Sequence, residues 1–319
     1  MTAETTPASA TREVEHSINV YAPAREVYKL LAEVENWPRL FPPSVYVRQL
    51  EVDGNEERIQ IWATANGEPK TWTSRRVLDP EALRITFWQE LSTPPVAEMS
   101  GTWIIEPHDD HTKLRLLHSY RAIDNDPDGL AWIDKAVDDN STAELPGLKA
   151  AVENAVHTGD LTISFVDSIE IVGSASDVFD FVDRADLWME RLPHVDTVEL
   201  TEPTPGLQIL RMDTKTKDGD THTTESVRVT FPHHKIAYKQ TALPALLDLH
   251  TGIWTFEEDD HGTTIASSQH TVILRADRIT DILGAGAGVP EARSFIRNAL
   301  GTNSLATLTH AKKYAEDRR

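Results

Sequence analysis

The chain has 319 residues, no cysteine and a formal charge of −20. The length suits about two ordinary domains, and a composition with 39% hydrophobic and 26% charged residues is that of a soluble globular protein. Without cysteine there are no disulfides, thiolate metal sites or cysteine nucleophiles, and a strongly acidic chain lacks the basic face that nucleic-acid phosphates require.

Residues 1–157 carry 15 basic and 26 acidic side chains, so the acidity is spread over both halves rather than held in a tail. Met1 to Thr11 are small and polar and lack the basic start and apolar stretch of a secretory signal; they read as a disordered tail on a cytoplasmic protein. No run reaches the roughly 18 apolar residues of a membrane span. An alternating strand is predicted from Val14 to Val20, and Ala22-Pro23 then opens a short amphipathic helix. Trp37 falls in a second short helical turn. Four to six strand-like segments follow, broken by turn signals at Asp53-Gly54 and Asn66-Gly67, and a helix is predicted over about 129–156. A short polar joint lies at His157-Thr158-Gly159-Asp160.

The same order then repeats. Ser164 to Val172 is a strand, Gly173-Ser174 a helix start, Trp188 a second helical turn, and turns fall at Asp218-Gly219 and Asp260-His261-Gly262 before a helix over about 290–318. His16-Ser17-Ile18-Asn19-Val20 aligns with Asp167-Ser168-Ile169-Glu170-Ile171, and Trp103 aligns with Trp254, at a spacing of 151 residues. Thr73-Ser74-Arg75-Arg76-Val77 aligns with Glu225-Ser226-Val227-Arg228-Val229 at 152. The chain is therefore read as a duplication, with domains at 12–157 and 161–319, each a run of strands closed by one long helix, hence α+β. The second half has extra residues before its last helix, including Gly284-Ala285-Gly286-Ala287-Gly288, read as a flap over a second pocket.

With Trp37-Pro38-Arg39-Leu40-Phe41, Trp72-x-Ser74-x-Arg76 and Trp103 followed by His118, the chain resembles the didomain aromatase/cyclases of bacterial aromatic polyketide synthases. That family belongs to the helix-grip group of lipid-transfer (START-like) and plant-allergen-like (Bet v 1-like) domains. The resemblance covers nearly the whole chain. It implies two tandem domains, each a curved antiparallel sheet wrapped around a long C-terminal helix with an internal pocket. It also implies a cofactor-free enzyme that closes and aromatises the first ring of a poly-β-ketone, reduced at the ninth carbon, between the seventh and twelfth carbons. The implied partners are the acyl carrier protein bearing the chain and other polyketide synthase enzymes, with neither nucleic acid nor membrane. In the second half Thr224, Ser226 and Arg228 stand where the pocket motif is expected, and Gln269 stands fifteen residues after Trp254 where the family often has glutamine. The tyrosine that single-domain members carry seven residues after the early tryptophan is replaced by Ser44 and Val195.

The residues suggest the chemistry independently. Side chains two apart on a strand share a face, so Trp72, Ser74 and Arg76 point one way and Arg75 the other, and His222, Thr224, Ser226 and Arg228 share a face in turn. An arginine stays charged in a partly apolar cavity and can donate to a ketone oxygen whose charge grows during enolisation; the alternative is a structural arginine paired to a nearby acid. His118 titrates in the right range for a proton shuttle and shares a face with Leu116 and Tyr120; the alternative is a hydrogen-bonded sheet residue. Trp37, Trp72 and Trp88 either wall a slot for a flat substrate or fill the core, and Met99 and His250 line corresponding walls four residues before the matched tryptophans. In the second half His250 and His270 compete; Gln269 and His270 face opposite ways, so both cannot line the pocket unless a bulge intervenes. His108-Asp109-Asp110-His111 reads as a hairpin turn rather than a metal site, and His233-His234 as another turn. Nothing calls for a cofactor. A second reading of the same fold is a non-catalytic carrier of lipids or small molecules, which predicts aliphatic pockets without a central arginine. Arg75, Lys70 and Arg84 are candidates for a basic docking patch for the carrier protein.

Overall fold

Alternation builds the first sheet. The computed structural model describes residues 11–153, 160–215 and 221–318; the predicted tail, the joint at 157–159 and the turn at Asp218-Gly219 lie outside the described residues. In β1 (Arg12–Val20), Val14, His16, Ile18 and Val20 turn inward while their neighbours stay exposed. Pro23 then starts α1 (Ala24–Ala32), which buries Ala24, Val27 and Leu31 along one helical stripe. A 3₁₀ turn leads into α2 (Trp37–Leu40). Six strands follow: β2 (Ser44–Asp53), β3 (Glu56–Ala65), β4 (Glu68–Asp79), β5 (Arg84–Leu91), β6 (Val96–Pro107) and β7 (Thr112–Ala122). They pair antiparallel in the order β1-β7-β6-β5-β4-β3-β2, so β1 and β2 are the edges. The long helix α3 (Pro127–Glu153) lays Ile133, Val137, Leu145 and Leu148 towards the sheet.

The second unit repeats this order in β8 (Thr162–Ile171), α4 (Ala175–Asp183), α5 (Trp188–Arg191) and β9 (Val195–Thr204). Then come β10 (Leu207–Lys215), β11 (Thr221–Phe231), β12 (Lys235–Ala242), β13 (Leu247–Glu258) and β14 (Thr264–Leu274). The strand order is β8-β14-β13-β12-β11-β10-β9. A short α6 (Ile279–Leu283) precedes the long α7 (Val289–Glu316). Ser174 caps α4 by accepting from the Asp177 N–H, as a serine before a helix should. The chain divides into two compact units, Met1–Ala155 and Val156–Arg319, and each is described by itself below.

Two turn predictions hold: His108 to His111 lie between β6 and β7, and His233-His234 lie between β11 and β12. The glycine-rich segment does not form a flap. Leu283, Ala287 and Val289 pack on Leu246, Leu247 and Ile279, and none of 284–288 lines the second pocket. Its glycines serve the turn instead, with Gly284 and Gly286 in the left-handed region.

Candidate active site

Each unit leaves a cavity between the concave face of its sheet and its long helix, about 170 Å³ in the first and about 130 Å³ in the second. The first is lined by Trp37, Trp72, Ser74, Arg76, Met99 and His118 among others, so six of the predicted residues converge. The register explains this. Arg76 lies opposite Glu57 on β3 and Phe87 on β5, and Ser74 opposite Ile59 and Gln89, so one face of three strands forms one wall.

Two predicted residues of this unit do not line the pocket. Trp88 pairs with Arg75, whose side chain faces outward, and its in-facing neighbour Phe87 takes its place in the cavity. Tyr120 shares the inner face with His118, but it packs against Ile133 and Val137 of α3, with its hydroxyl donating to Asp134 at 2.7 Å. Lys70 does not lie on Arg75's face; it sits on the cavity wall, paired with Glu68 and over the Trp132 ring.

Arg76 is almost wholly buried and belongs to the frame as much as to the cavity. Its Nη1 donates to the Leu31 carbonyl at 2.9 Å and its Nη2 to the Ala32 carbonyl at 2.7 Å, capping the C-terminal end of α1. Nη2 also pairs with buried Glu57, which accepts from Gln49 at 2.5 Å, and the Trp37 ring lies 5.1 Å from the guanidinium. Burial pulls the Arg76 pKa down while Glu57 pulls it back up. Burial also pushes His118 down to about 4, with His16 adding to the effect, so its ring is neutral at neutral pH; its Nδ1 has no partner among the described residues.

In the second unit Thr224, Ser226, Arg228 and His250 line the cavity as predicted, with Trp188, Gln240 and Tyr238. Gln269 does not. His270 takes the place of His118: Gly101 pairs with His118 and Gly252 with His270. The hairpin joining β13 to β14 is one residue longer than that joining β6 to β7, and a shift of one residue exchanges the two faces of a strand. Arg228 caps α4 by donating to the Val182 carbonyl at 2.7 Å, and the Trp188 ring lies 5.5 Å away. Gln208 replaces Glu57 opposite it and donates to Asp183 at 3.2 Å and to Glu202 at 3.1 Å. Arg228 therefore keeps one donor open: its Nη1 is buried without a partner among the described residues. Burial lowers its pKa to about 10, which leaves it charged at neutral pH.

Sequence reasoning missed several lining residues. Gln89 and Gln240 stand in register with the pocket serines, and each has a buried side-chain oxygen without a partner among the described residues. Glu144 of α3 lines the first cavity, and burial pushes it up to about 8. The sequence did carry a signal for the helix side of both cavities: Asn140-Ser141 recurs as Asn303-Ser304, all four in the cavity walls, displaced to a spacing of 163 by the extra residues before α7.

The family profile described as polyketide cyclase / dehydrase and lipid transport matches twice, over residues 11–153 and 162–316. The chain belongs to this family. It is 49% identical over 304 residues to the granaticin polyketide synthase bifunctional cyclase/dehydratase of Streptomyces virginiae, covering 93% of this chain and 97% of that one. It is 44% identical over 308 residues to the actinorhodin polyketide synthase bifunctional cyclase/dehydratase of Streptomyces coelicolor, covering 93% and 95%. Among solved structures it resembles the di-domain ARO/CYC BexL of the BE-7585A biosynthetic pathway, with a TM-score of 0.85, 64% identity and coverage of 96% and 99%. It also resembles the di-domain ARO/CYC StfQ of the steffimycin pathway, with a TM-score of 0.84, 33% identity and the same coverage. The chain is thus a didomain aromatase/cyclase, a bifunctional cyclase/dehydratase of aromatic polyketide biosynthesis with two tandem helix-grip domains. No helix among the described residues is long and apolar enough to cross a membrane.

Proposed function

We propose that the chain takes a poly-β-ketone, reduced at the ninth carbon and tethered to an acyl carrier protein, closes its first ring between the seventh and twelfth carbons, and dehydrates it to an aromatic ring. It does this in the cytoplasm beside the other enzymes of a polyketide synthase. The observation that carries the reading is the convergence in the first cavity of Ser74, Arg76, Gln89, His118 and Glu144 within walls of Trp37, Trp72 and Phe87.

Those groups fit the chemistry. A free poly-ketone closes in many ways, and a walled slot restricts it to one while excluding water. A cavity near 150 Å³ accommodates one six-membered aromatic ring, so the first cavity at about 170 Å³ suits the ring being formed. Arg76 gives the wall a fixed positive field, which favours charge developing on an enolising ketone. Neutral His118 accepts the proton that the methylene loses. Glu144, protonated at neutral pH, supplies one to the oxygen that becomes a hydroxyl. An aliphatic carrier pocket would have no use for this set.

Reconstituting the synthase with and without the chain tests the reading. The expected outcome is a correctly closed, aromatised first ring with the chain and misfolded shunt products without it. An identical product profile in both would overturn it.

A further inference from the structure

Three equivalent positions of the two cavities carry different residues at two places and histidine at the third. The first unit has Phe87, Met99 and His118; the second has Tyr238, His250 and His270. Tyr238 is in register with Gly252, as Phe87 is with Gly101, and in both units the missing side chain is needed because the ring lies over the glycine. The second unit has therefore kept the packing and added a hydroxyl and an imidazole.

These added groups are bonded to one another. Tyr238 Oη lies 3.3 Å from His250 Nε2 and 3.1 Å from His270 Nδ1, and the two ring nitrogens are 3.0 Å apart. On its other side His270 Nε2 lies 3.1 Å from Ser268 Oγ, where the first unit has Leu116. His270 is thus contacted at both nitrogens and can take a proton at one and release it at the other without turning. Both imidazoles are neutral at neutral pH, since burial lowers His250 to about 3 and His270 to about 4. Tyr238 keeps its proton, because burial raises its pKa while Arg228 opposes that rise. Burying three polar side chains is costly unless each is satisfied, and an apolar solution stands at two of the three places in the sister unit.

We infer that the second cavity is a separate dehydration site, in which Tyr238, His250, His270 and Ser268 form a proton relay acting on a ring-closed β-hydroxy ketone held by Arg228. This rests on the proposed function for its substrate. The open Nη1 of Arg228 donates to the ketone oxygen. His270 removes the proton α to the ketone; those electrons form the carbon–carbon double bond as the bond to the β-oxygen breaks. The departing hydroxyl takes the Tyr238 proton and leaves as water. The proton on His270 then returns to Tyr238 across their hydrogen bond, so the protein ends unchanged and no oxidant or reductant is used.

Tyr238→Phe in the full chain is the test, since it removes only the hydroxyl and installs the residue that the first unit carries. In a reconstituted synthase the ring-closed, hydroxylated intermediate is expected to accumulate, with dehydration slowed about 100-fold, the lower range of general acid–base effects, and ring closure unchanged. His270→Gln is expected to do the same. If either variant dehydrates at the wild-type rate, the relay is wrong. If ring closure and dehydration fall together, the network is a structural support and the proposal is also overturned. A wild-type chain that leaves the product profile unchanged overturns the functional reading, and this site with it; a wild-type chain that aromatises while Tyr238→Phe aromatises equally fast overturns this site alone.

Discussion

The two units hold the same arginine in different ways. Arg76 has both Nη atoms committed, to two carbonyls at the end of α1 and to a buried carboxylate. Arg228 caps the corresponding helix but faces Gln208, and one of its nitrogens is open. One sequence change in the neighbouring strand thus removes the buried carboxylate partner, and the open donor differs: Nε on Arg76 and Nη1 on Arg228 are the buried nitrogens without a partner among the described residues. A motif shared by two domains fixes where a side chain goes, but its neighbours decide what it is free to do.

The largest effect that separates the units is on stability. Arg76→Ala leaves Glu57 buried and unpaired, and breaking a buried pair typically costs about 3–5 kcal/mol. Arg228→Ala strands no carboxylate directly bonded to it, so it is expected to cost less while still impairing the second cavity. Urea denaturation of the full chain followed in both variants checks this. Equal losses would show that Glu57 does not distinguish the two sites. Product analysis on a stable Arg228→Ala chain is expected to show reduced aromatised product, whereas residues 1–157 alone would match the full protein if the second unit were only a scaffold.

The glycines give the next contrast. A Cβ on Gly101 would sit 2.2 Å from the Leu117 carbonyl oxygen and 2.4 Å from the Phe87 ring, whereas the three atoms nearest to one on Gly252 all belong to the Tyr238 side chain, the first at 2.3 Å. Backbone cannot step aside as a ring can. Gly101→Ala is therefore expected to destabilise by about 1–3 kcal/mol, the usual range for overpacking. Gly252→Ala is expected to cost less stability but to displace Tyr238 and slow dehydration. Thermal melts of both variants, with dehydration assayed beside them, would break the comparison if their order were reversed.

A third contrast appears with pH. Glu144 is pushed from an ordinary 4.5 up to about 8 by burial, and Thr307 holds the corresponding place in the second cavity. Between those values the folded first unit keeps a proton that the unfolded chain releases. Its contribution is complete below about pH 4.5 and is lost as pH rises towards about 8. The buried histidines act oppositely: with His118 and His270 lowered to about 4 and His250 to about 3 from 6.5, their contribution is present above pH 6.5 and lost as the solution is acidified towards those values. Glu144→Gln is expected to remove the alkaline loss and leave the acid loss intact. Identical stability-versus-pH curves for wild type and variant would show that Glu144 titrates normally.

These contrasts also show what the sequence made legible. Period-two alternation and the repeat spacing sufficed for two strand-rich units, each closed by a helix, the family resemblance supplied the antiparallel sheets, and strand parity placed Ser74 and Arg76 together in a wall. Parity alone could not place Trp88, because which face of β5 is concave depends on its register with β4. Gln269 failed for a related reason. Counting from Trp254 ignored one added turn residue, which hands the inner face to His270. Tyr120 lay on the correct face but under the helix, and a strand pattern does not say where along its length the cavity ends. Glu57 and Glu144 escaped notice because each lies far in sequence from the motif it meets.

The smallest expected effect concerns carrier docking. Arg75 was a candidate for a basic patch, and it does face outward from the pocket strand. Its guanidinium is shared, however, between Glu90 at 3.1 Å and Glu51 at 3.8 Å, and Glu90 also pairs with Arg58. An arginine neutralised by two surface acids offers little net field to an acidic partner, and over a Debye length of about 8 Å at physiological salt the −20 charge of the chain opposes the approach. Exposed pairs of this kind also contribute little to stability. Arg75→Ala is therefore expected to leave the melting temperature almost unchanged, and turnover of carrier-bound and free substrates should respond to added salt as in wild type. Arg84, on the outer end of β5, carries no ion pair among the described residues and is the better remaining candidate. Arg84→Ala is expected to lower turnover of the tethered substrate modestly at low salt and not that of a free mimic. If Arg75→Ala produces that difference and Arg84→Ala does not, the ion-paired side chain is the docking contact and the neutralisation argument fails.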